Sequence, residues 1–137
     1  MADVQSQRQV TRQIKARVAV DLINGDGEQY ADVYGTIAAR VDSGPEITFY
    51  DRSRRDAELV SPGTPITLNN DILMSTSAER FTVRANLMDR DNDPSRDDEI
   101  ANGSATFIVR GDGSSAAERI KGRNGEIEVR ILWFNVD

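Results

Sequence analysis

The sequence predicts an all-β protein, an antiparallel β-sandwich of seven or eight strands with one short connector helix. Hydrophobic and polar residues alternate along several stretches of the chain, which is typical of strands that pack one face against a core. Turn-forming residues separate these stretches, for example Asn24-Gly25-Asp26-Gly27 and Ser61-Pro62-Gly63. Short strands separated by turns in this way are typical of a β-sandwich.

Each predicted strand follows from the positions of its apolar side chains. In residues 14–22 and 81–87, every second side chain is apolar and the side chains between them are mostly polar. The same alternation predicts strands over three further segments, residues 33–41, 105–109 and 127–133. Residues 47–49 and 66–68 predict two shorter strands.

The connector helix is predicted over residues 114–120, between the last two strands. Ser114 is a candidate N-cap and Glu118 lies close to the capping-box position. Residues 1–9 are polar, so we expect a flexible N-terminal tail. Residues 10–137 are then expected to form a single domain.

Composition excludes many kinds of chemistry. The chain has no cysteine and no histidine, which excludes disulfides, thiol catalysis and imidazole general bases. Its 17 basic and 23 acidic residues give a formal net charge of -6, which argues against nucleic acid as a partner. No stretch has the length and apolar character of a signal peptide or transmembrane segment, so we expect a cytoplasmic protein or export without a classical signal.

The densest charge lies in residues 89–99, where six of eleven side chains are carboxylates. Like charges this close together are costly unless a cation neutralises them. Carboxylate oxygens favour Ca²⁺, and suit Mg²⁺ less because of its stricter octahedral geometry. Neutralisation by Arg90 and Arg96, or solvation of an exposed loop, is the alternative interpretation.

An EF-hand does not explain this loop. Asp89, Asp91 and Asp93 fit the first, third and fifth positions of its calcium loop. Pro94, however, stands where that loop needs glycine for its sharp turn, and Ile100 stands where it needs a bidentate glutamate. The flanking segments also predict strands rather than helices, so the EF-hand is excluded.

A second acidic loop lies between the first two long strands. Its two aspartates are six residues apart, and the second is followed within two residues by Tyr34. The other acidic loop has Asp89-Arg90-Asp91, with Asp97 eight residues after Asp89. With these two patterns the sequence resembles the C2 domain, a calcium-binding β-sandwich. The resemblance implies a cup formed by both loops, in which Asp32 and Asp91 bridge two ions. The ligands that it implies are Asp26, Asp32, Asp89, Asp91 and Asp97.

Two departures from the C2 pattern affect the ligand set. Val33 stands where that family usually has proline, and the chain after the last aspartate runs longer than usual before Gly103. The longer segment leaves open whether Asp97 or Asp98 is the fifth ligand. Asp93 and Asp98 are therefore additional candidate ligands.

Two short segments carry a second resemblance. Val33-Tyr34-Gly35-Thr36-Ile37-Ala38-Ala39-Arg40 and Arg52-Ser53-Arg54-Arg55-Asp56 look like parts of a plant domain of unknown function, which sometimes follows a ribosome-inactivating domain. Arg52, Arg54 and Arg55 also form the one compact basic group, a candidate site for an anion or a partner. The alternative is local neutralisation by the neighbouring acids Asp51, Asp56 and Glu58.

Three functions are compatible with these features. The prediction that we favour is a non-enzymatic calcium-binding module that engages an anionic lipid headgroup, glycan or protein. The alternative is a structural or interaction sandwich in which calcium only stabilises the fold, or in which no metal binds. A carboxylate-based hydrolase is disfavoured because no acid/base pair is recognisable. The sequence is compatible with an oligomer.

Overall fold

Two antiparallel β-sheets form the part of the chain that the computed structural model describes, residues 13–25, 27–68, 71–91 and 96–136. The ten strands are β1 (Gln13–Gly25), β2 (Ala31–Val41), β3 (Ile47–Arg52), β4 (Glu58–Val60), β5 (Pro65–Ile66), β6 (Ile72–Ser75), β7 (Arg80–Asp89), β8 (Asp98–Ile108), β9 (Ser115–Lys121) and β10 (Gly125–Val136). A short 3-10 helix, η1 (Arg54–Asp56), follows β3. The predicted tail, residues 1–9, lies outside the described residues.

The first sheet has the strand order β5-β1-β10-β9, with β6 also paired to β1, and the second has the order β3-β2-β7-β8, with β4 also paired to β2. The inward-facing apolar side chains of both sheets form one hydrophobic core. This arrangement confirms the predicted all-β antiparallel sandwich. The described strands outnumber the seven or eight predicted, because segments as short as β4 and β6 show too little alternation to be recognised.

The core is built from the alternating side chains that the sequence predicts. In β7, Phe81, Val83, Ala85 and Leu87 are all buried, while the residues between them are more exposed. Trp133 in β10 is fully buried, and its ring meets that of Phe81 edge-on at 5.9 Å between centroids. Burial of such large apolar side chains is the main favourable contribution to folding.

The predicted connector helix over residues 114–120 is wrong, because this segment forms β9. It pairs with β10 over seven residues, from Ser115 opposite Leu132 to Lys121 opposite Glu126. A seven-residue helix gains little by itself, whereas a strand satisfies backbone groups at the edge of β10 and buries Ile120. Tertiary pairing therefore overrides the weak local preference for helix.

Strand register brings the two acidic loops to one end of the sandwich. Asp89, the last residue of β7, is opposite Val33 in β2 and opposite Asp98 at the start of β8. Ala31 begins β2 directly after the acidic loop that connects β1 to β2. The end of β7, the start of β2 and the start of β8 are therefore neighbours, as the prediction of a shared cup requires.

Within the described chain, no helix is long and apolar enough to cross a membrane.

Candidate metal centre

Three carboxylates from the two acidic loops come together at this end of the sandwich. Glu28 belongs to the β1–β2 loop, Asp89 ends β7, and Asp91 lies in the β7–β8 loop. One carboxylate oxygen from each lies within 4.8 Å of the other two. We call Glu28, Asp89 and Asp91 the acidic centre.

Asp89 is buried because it continues the inward-facing row of β7. It is 2% exposed, and among the described residues it is the only charged one in the core. Its Oδ1 atom accepts a hydrogen bond from the Asp32 backbone N–H at 2.8 Å. While Asp89 is ionised, its Oδ2 atom is buried without a hydrogen-bond donor in the described part of the chain. An unpaired buried oxygen of this kind is costly unless a donor or a cation reaches it.

Burial raises the pKa of Asp89 to about 7. The hydrogen bond from the Asp32 backbone opposes this rise, whereas the charges of Glu28 and Asp91 and a hydrogen bond between the Asp89 and Glu28 carboxyl groups add to it. The ionised form of Asp89 is therefore disfavoured without a cation. A divalent ion beside Oδ2 would reverse this effect, since it favours the charged form.

Asp97 has a different environment, in which both oxygens are already occupied. The Arg54 guanidinium donates to both oxygens, from Nε to Oδ2 at 2.7 Å and from Nη2 to Oδ1 at 3.1 Å. The Tyr34 hydroxyl donates to Oδ2, and the Asp91 backbone N–H donates to Oδ1 at 3.1 Å. With the bonds from Arg54 as the largest cause, these contacts hold the pKa of Asp97 well below its usual range. Burial and the contact with Asp97 raise the pKa of Tyr34 to about 12.

Asp32 also has an arginine neighbour. The Arg90 guanidinium lies 3.9 Å from Asp32 Oδ2, and the Arg90 backbone N–H donates to the Asp32 carbonyl at 2.9 Å. Arg90 Nη1 donates to the carbonyl of Arg54 at 3.2 Å. Two of the predicted ligands, Asp32 and Asp97, are thus paired with arginine. The alternative interpretation expected Arg90 to neutralise residues 89–99, whereas the ion pair of Arg90 is with Asp32, at the end of the other acidic loop.

The other predicted residues occupy several positions. Asp98 begins β8 opposite Asp89 in the register, and Asp26 and Asp93 lie outside the described residues.

Arg52 lies 3.6 Å from a carboxylate oxygen of Asp56 and 4.0 Å from one of Glu58. Arg55 is exposed in η1 and forms no ion pair with any residue that the structure describes. Arg52 and Arg54 are thus paired with different acids, and the role of Arg52, Arg54 and Arg55 as a site for an anion or a partner stays a prediction.

Glu28 was absent from the predicted ligand set. It is not part of the spacing that resembles C2 domains, although it lies in the same acidic loop as Asp26 and Asp32. That loop is the one sequence signal that could have pointed to it. Its closeness to Asp89 depends on strand register across 61 residues of sequence, which no local pattern shows.

The acidic centre fits a hard divalent cation. All three side chains offer carboxylate oxygens, the ligands that calcium prefers, and bidentate carboxylates can supply much of its shell of six to eight oxygens. The unpaired Oδ2 atom of Asp89 is an oxygen that such an ion would satisfy. The donor set lacks nitrogen and sulfur, so it does not favour zinc or copper.

The fold and the site define an antiparallel β-sandwich with an acidic centre at one end. A family model described as Domain of unknown function (DUF6598) matches residues 16–135, and the chain belongs to this family. This match agrees with the predicted resemblance to a domain of unknown function. No curated protein matches the sequence.

Solved structures support the sandwich fold. One chain in the crystal structure of the Cry23Aa1 and Cry37Aa1 binary protein complex is similar over 93% of this chain and 99% of its own, at 12% identity and a TM-score of 0.58. The C2A domain of plant Extended Synaptotagmin 1 is similar over 92% of this chain and 95% of its own, at 13% identity and a TM-score of 0.42. A further C2 domain is similar over 92% and 99%, at 10% identity and a TM-score of 0.40. C2 domains are thus among the similar structures, as predicted, and the similarity concerns the fold alone.

Proposed function

We propose that the chain is a calcium-binding β-sandwich module of one domain, residues 10–137, which has no catalytic activity and engages an anionic group when calcium is bound. The observation that carries the proposal is the buried carboxylate of Asp89, which lies beside Glu28 and Asp91 and whose Oδ2 atom, when ionised, has no hydrogen-bond donor among the described residues. A cation satisfies that oxygen and relieves the repulsion among the three carboxylates. The aspartate spacing that resembles C2 domains adds support.

In this proposal Glu28, Asp89 and Asp91 hold the ion, and Asp26 remains a candidate ligand from the same loop as Glu28. Asp89 would give a fixed anchor, because its backbone is part of β7 and its Oδ1 atom is held by the Asp32 backbone. Glu28 is exposed, so the ion would be reachable from solvent. When bound, calcium supplies open coordination positions for a phosphate, sulfate or carboxylate group of a partner.

Calcium titration by calorimetry tests the first half of the proposal. We expect wild-type protein to bind calcium, and Asp91→Asn to weaken binding at least about tenfold, or about 1.4 kcal/mol. Asp51→Asn is the matched control, because it removes the same charge from an exposed strand residue that forms no ion pair with described residues. Absence of calcium binding by the wild type would contradict the proposal.

Capture by anionic probes tests the second half. Vesicles containing phosphatidylserine and beads carrying heparin should retain the protein in calcium and release it in chelator, while circular dichroism shows the same fold in both buffers. Asp91→Asn should not be retained. Retention that chelator does not change would contradict calcium-dependent engagement.

The structural alternative has one observation in its favour. Asp97 and Asp32 already have arginine partners, so two of the five predicted ligands are neutralised without metal. If calcium raises thermal stability and neither probe nor a protein partner is retained in calcium, the structural role is the better account.

A further inference from the structure

We propose that the Arg54 guanidinium is a built-in cation, which neutralises Asp97 so that no metal ion binds to that carboxylate. In consequence the chain binds one divalent ion, at the acidic centre, instead of the two ions that the resemblance implies. The number of ions rests on the proposed function. The pairing of Arg54 with Asp97 stands independently of it, on hydrogen bonds within the chain.

The hydrogen bonds of Asp97 leave no lone pair for a metal ion. An ionised carboxylate has about four lone-pair sites. Four donor contacts reach Asp97, two from the Arg54 guanidinium, one from the Tyr34 hydroxyl and one from the Asp91 backbone. The side chain of Asp97 is only 12% exposed, so it has little access to further ligands from solvent. Asp97 is therefore satisfied without metal.

Asp89 shows the opposite state at the same end of the molecule. Its Oδ2 atom, when ionised, is buried without a hydrogen-bond donor among the described residues, and a carboxylate oxygen of Glu28 and one of Asp91 lie within 4.8 Å of the Asp89 carboxylate. Asp89 thus lacks a cationic partner among the described residues, whereas Asp97 has one, the bidentate Arg54 guanidinium. This contrast indicates that a single divalent ion completes the site.

Strand geometry explains why the aspartates divide in this way. Asp89 continues the inward row of β7, whereas Asp32 and Tyr34 alternate with the buried residues Ala31 and Val33 and so face outward from β2. Tyr34 reaches Asp97 from that outer face. The predicted ligands therefore lie on both faces of the second sheet, and Arg54 pairs with Asp97 on the outer face.

Arg54 also fixes the position of Asp91. Its Nη2 atom donates to the Asp91 carbonyl at 2.7 Å, while the Asp91 N–H donates to Asp97. Both backbone groups of Asp91 are thus held by the Arg54–Asp97 pair, which orders one ligand of the acidic centre. In this sense Arg54 is a positioning residue for the metal centre.

The number of bound ions tests the inference directly. Native mass spectrometry and calorimetry with calcium alone should give one ion per wild-type chain. Asp97→Asn should still bind one ion, with a higher dissociation constant because Asp91 is held less firmly, whereas Asp91→Asn should lose the ion. Two ions in the wild type, or an ion lost in Asp97→Asn, would overturn the inference while supporting the proposed calcium function. No ion in the wild type would overturn the single-ion claim together with the proposed function.

A double-mutant cycle in chelator tests the pairing without metal. Arg54→Gln and Asp97→Asn should each lower the unfolding midpoint by about 2–5 °C, as expected for a partly exposed ion pair. The double variant should fall no further than either single variant. Arg55→Gln, the same change at the adjacent exposed arginine, should leave the midpoint unchanged. If the double variant loses the sum of the two single decreases in midpoint, Arg54 and Asp97 do not stabilise each other. That result would overturn the role of Arg54 as a built-in cation, whatever number of ions the chain binds.

Discussion

At the scale of single residues, Asp89 is the buried carboxylate on which the proposed metal site depends. Its place in β7 directs a carboxylate into the core, where one oxygen is bonded to the Asp32 backbone and the other has no partner among the described residues. Chains tolerate such costs mainly where a function requires them. Asp97, by contrast, is paired with the Arg54 guanidinium, so the two carboxylates differ in their need for a metal ion.

The raised pKa of Asp89 predicts how stability depends on pH in chelator. The pKa is about 7 in the folded state and about 3.9 in the unfolded chain, so between these values the folded state holds the proton more tightly. Stability should therefore fall as pH rises through this window, by at most about 1.4 kcal/mol per pH unit from this group, and level off above it. Denaturant unfolding of the wild type and Asp89→Asn across the window measures the difference.

Asp89→Asn should lack this contribution, and saturating calcium should reduce it, because the ion favours the charged carboxylate. Equal pH profiles for the wild type and the variant in chelator would contradict the account of Asp89.

The sequence contains two of the three residues of the acidic centre as candidate ligands, and their binding of a metal stays a prediction. Asp89 and Asp91 were both predicted as ligands, because aspartate spacing is a local pattern, and the structure brings them together with Glu28. The pairing of Arg54 with Asp97 spans 43 residues and depends on where η1 follows β3, so no local pattern contains it. The aspartate spacing also does not show which face of a strand each side chain occupies.

At the scale of elements, alternation predicts long strands well and short ones poorly. β1 and β7 combine clean alternation with many residues, so their predicted segments lie inside the observed strands. β9 was predicted as a helix because its local sequence contains an N-cap candidate followed by two alanines and a glutamate. Its partner β10 decides the outcome, and pairing between strands is not visible in a local window.

Gly35 in β2 gives a prediction at this scale. Its φ is +124°, and a Cβ atom there would lie 2.1 Å from the Asn86 carbonyl oxygen of β7. Gly35→Ala should therefore lower the free energy of unfolding by about 2–4 kcal/mol, through backbone strain and a lost β2–β7 contact. Chemical denaturation measures the change.

Gly103→Ala is the control for Gly35. A Cβ atom at Gly103 would meet only Ile120, at the ordinary contact distance of 3.5 Å. If the two alanine variants lose the same stability, close approach of the strands at Gly35 is not the reason for that glycine.

At the scale of the whole molecule, two sheets share one core, and the acidic loops meet at one end of it. The core supplies the stability against which a buried charge such as Asp89 can be maintained. Strand register then sets which loop residues become neighbours, as the contacts between the end of β7 and the start of β2 show. The overall sandwich was predictable from alternation and turns, whereas the exact neighbours at its end were not.

The central claim is that Asp89 is a buried carboxylate that requires a cation. The most direct test is the unfolding free energy of the wild type and Asp89→Asn, each in chelator and in saturating calcium near pH 8. In chelator we expect the variant to be more stable by about 1–3 kcal/mol, because a neutral amide replaces a buried charge. Calcium should stabilise the wild type by about 2.7 kcal/mol at a hundredfold excess over its dissociation constant, and should not stabilise the variant.

A variant that is less stable than the wild type in chelator, or that gains as much from calcium, would contradict the claim.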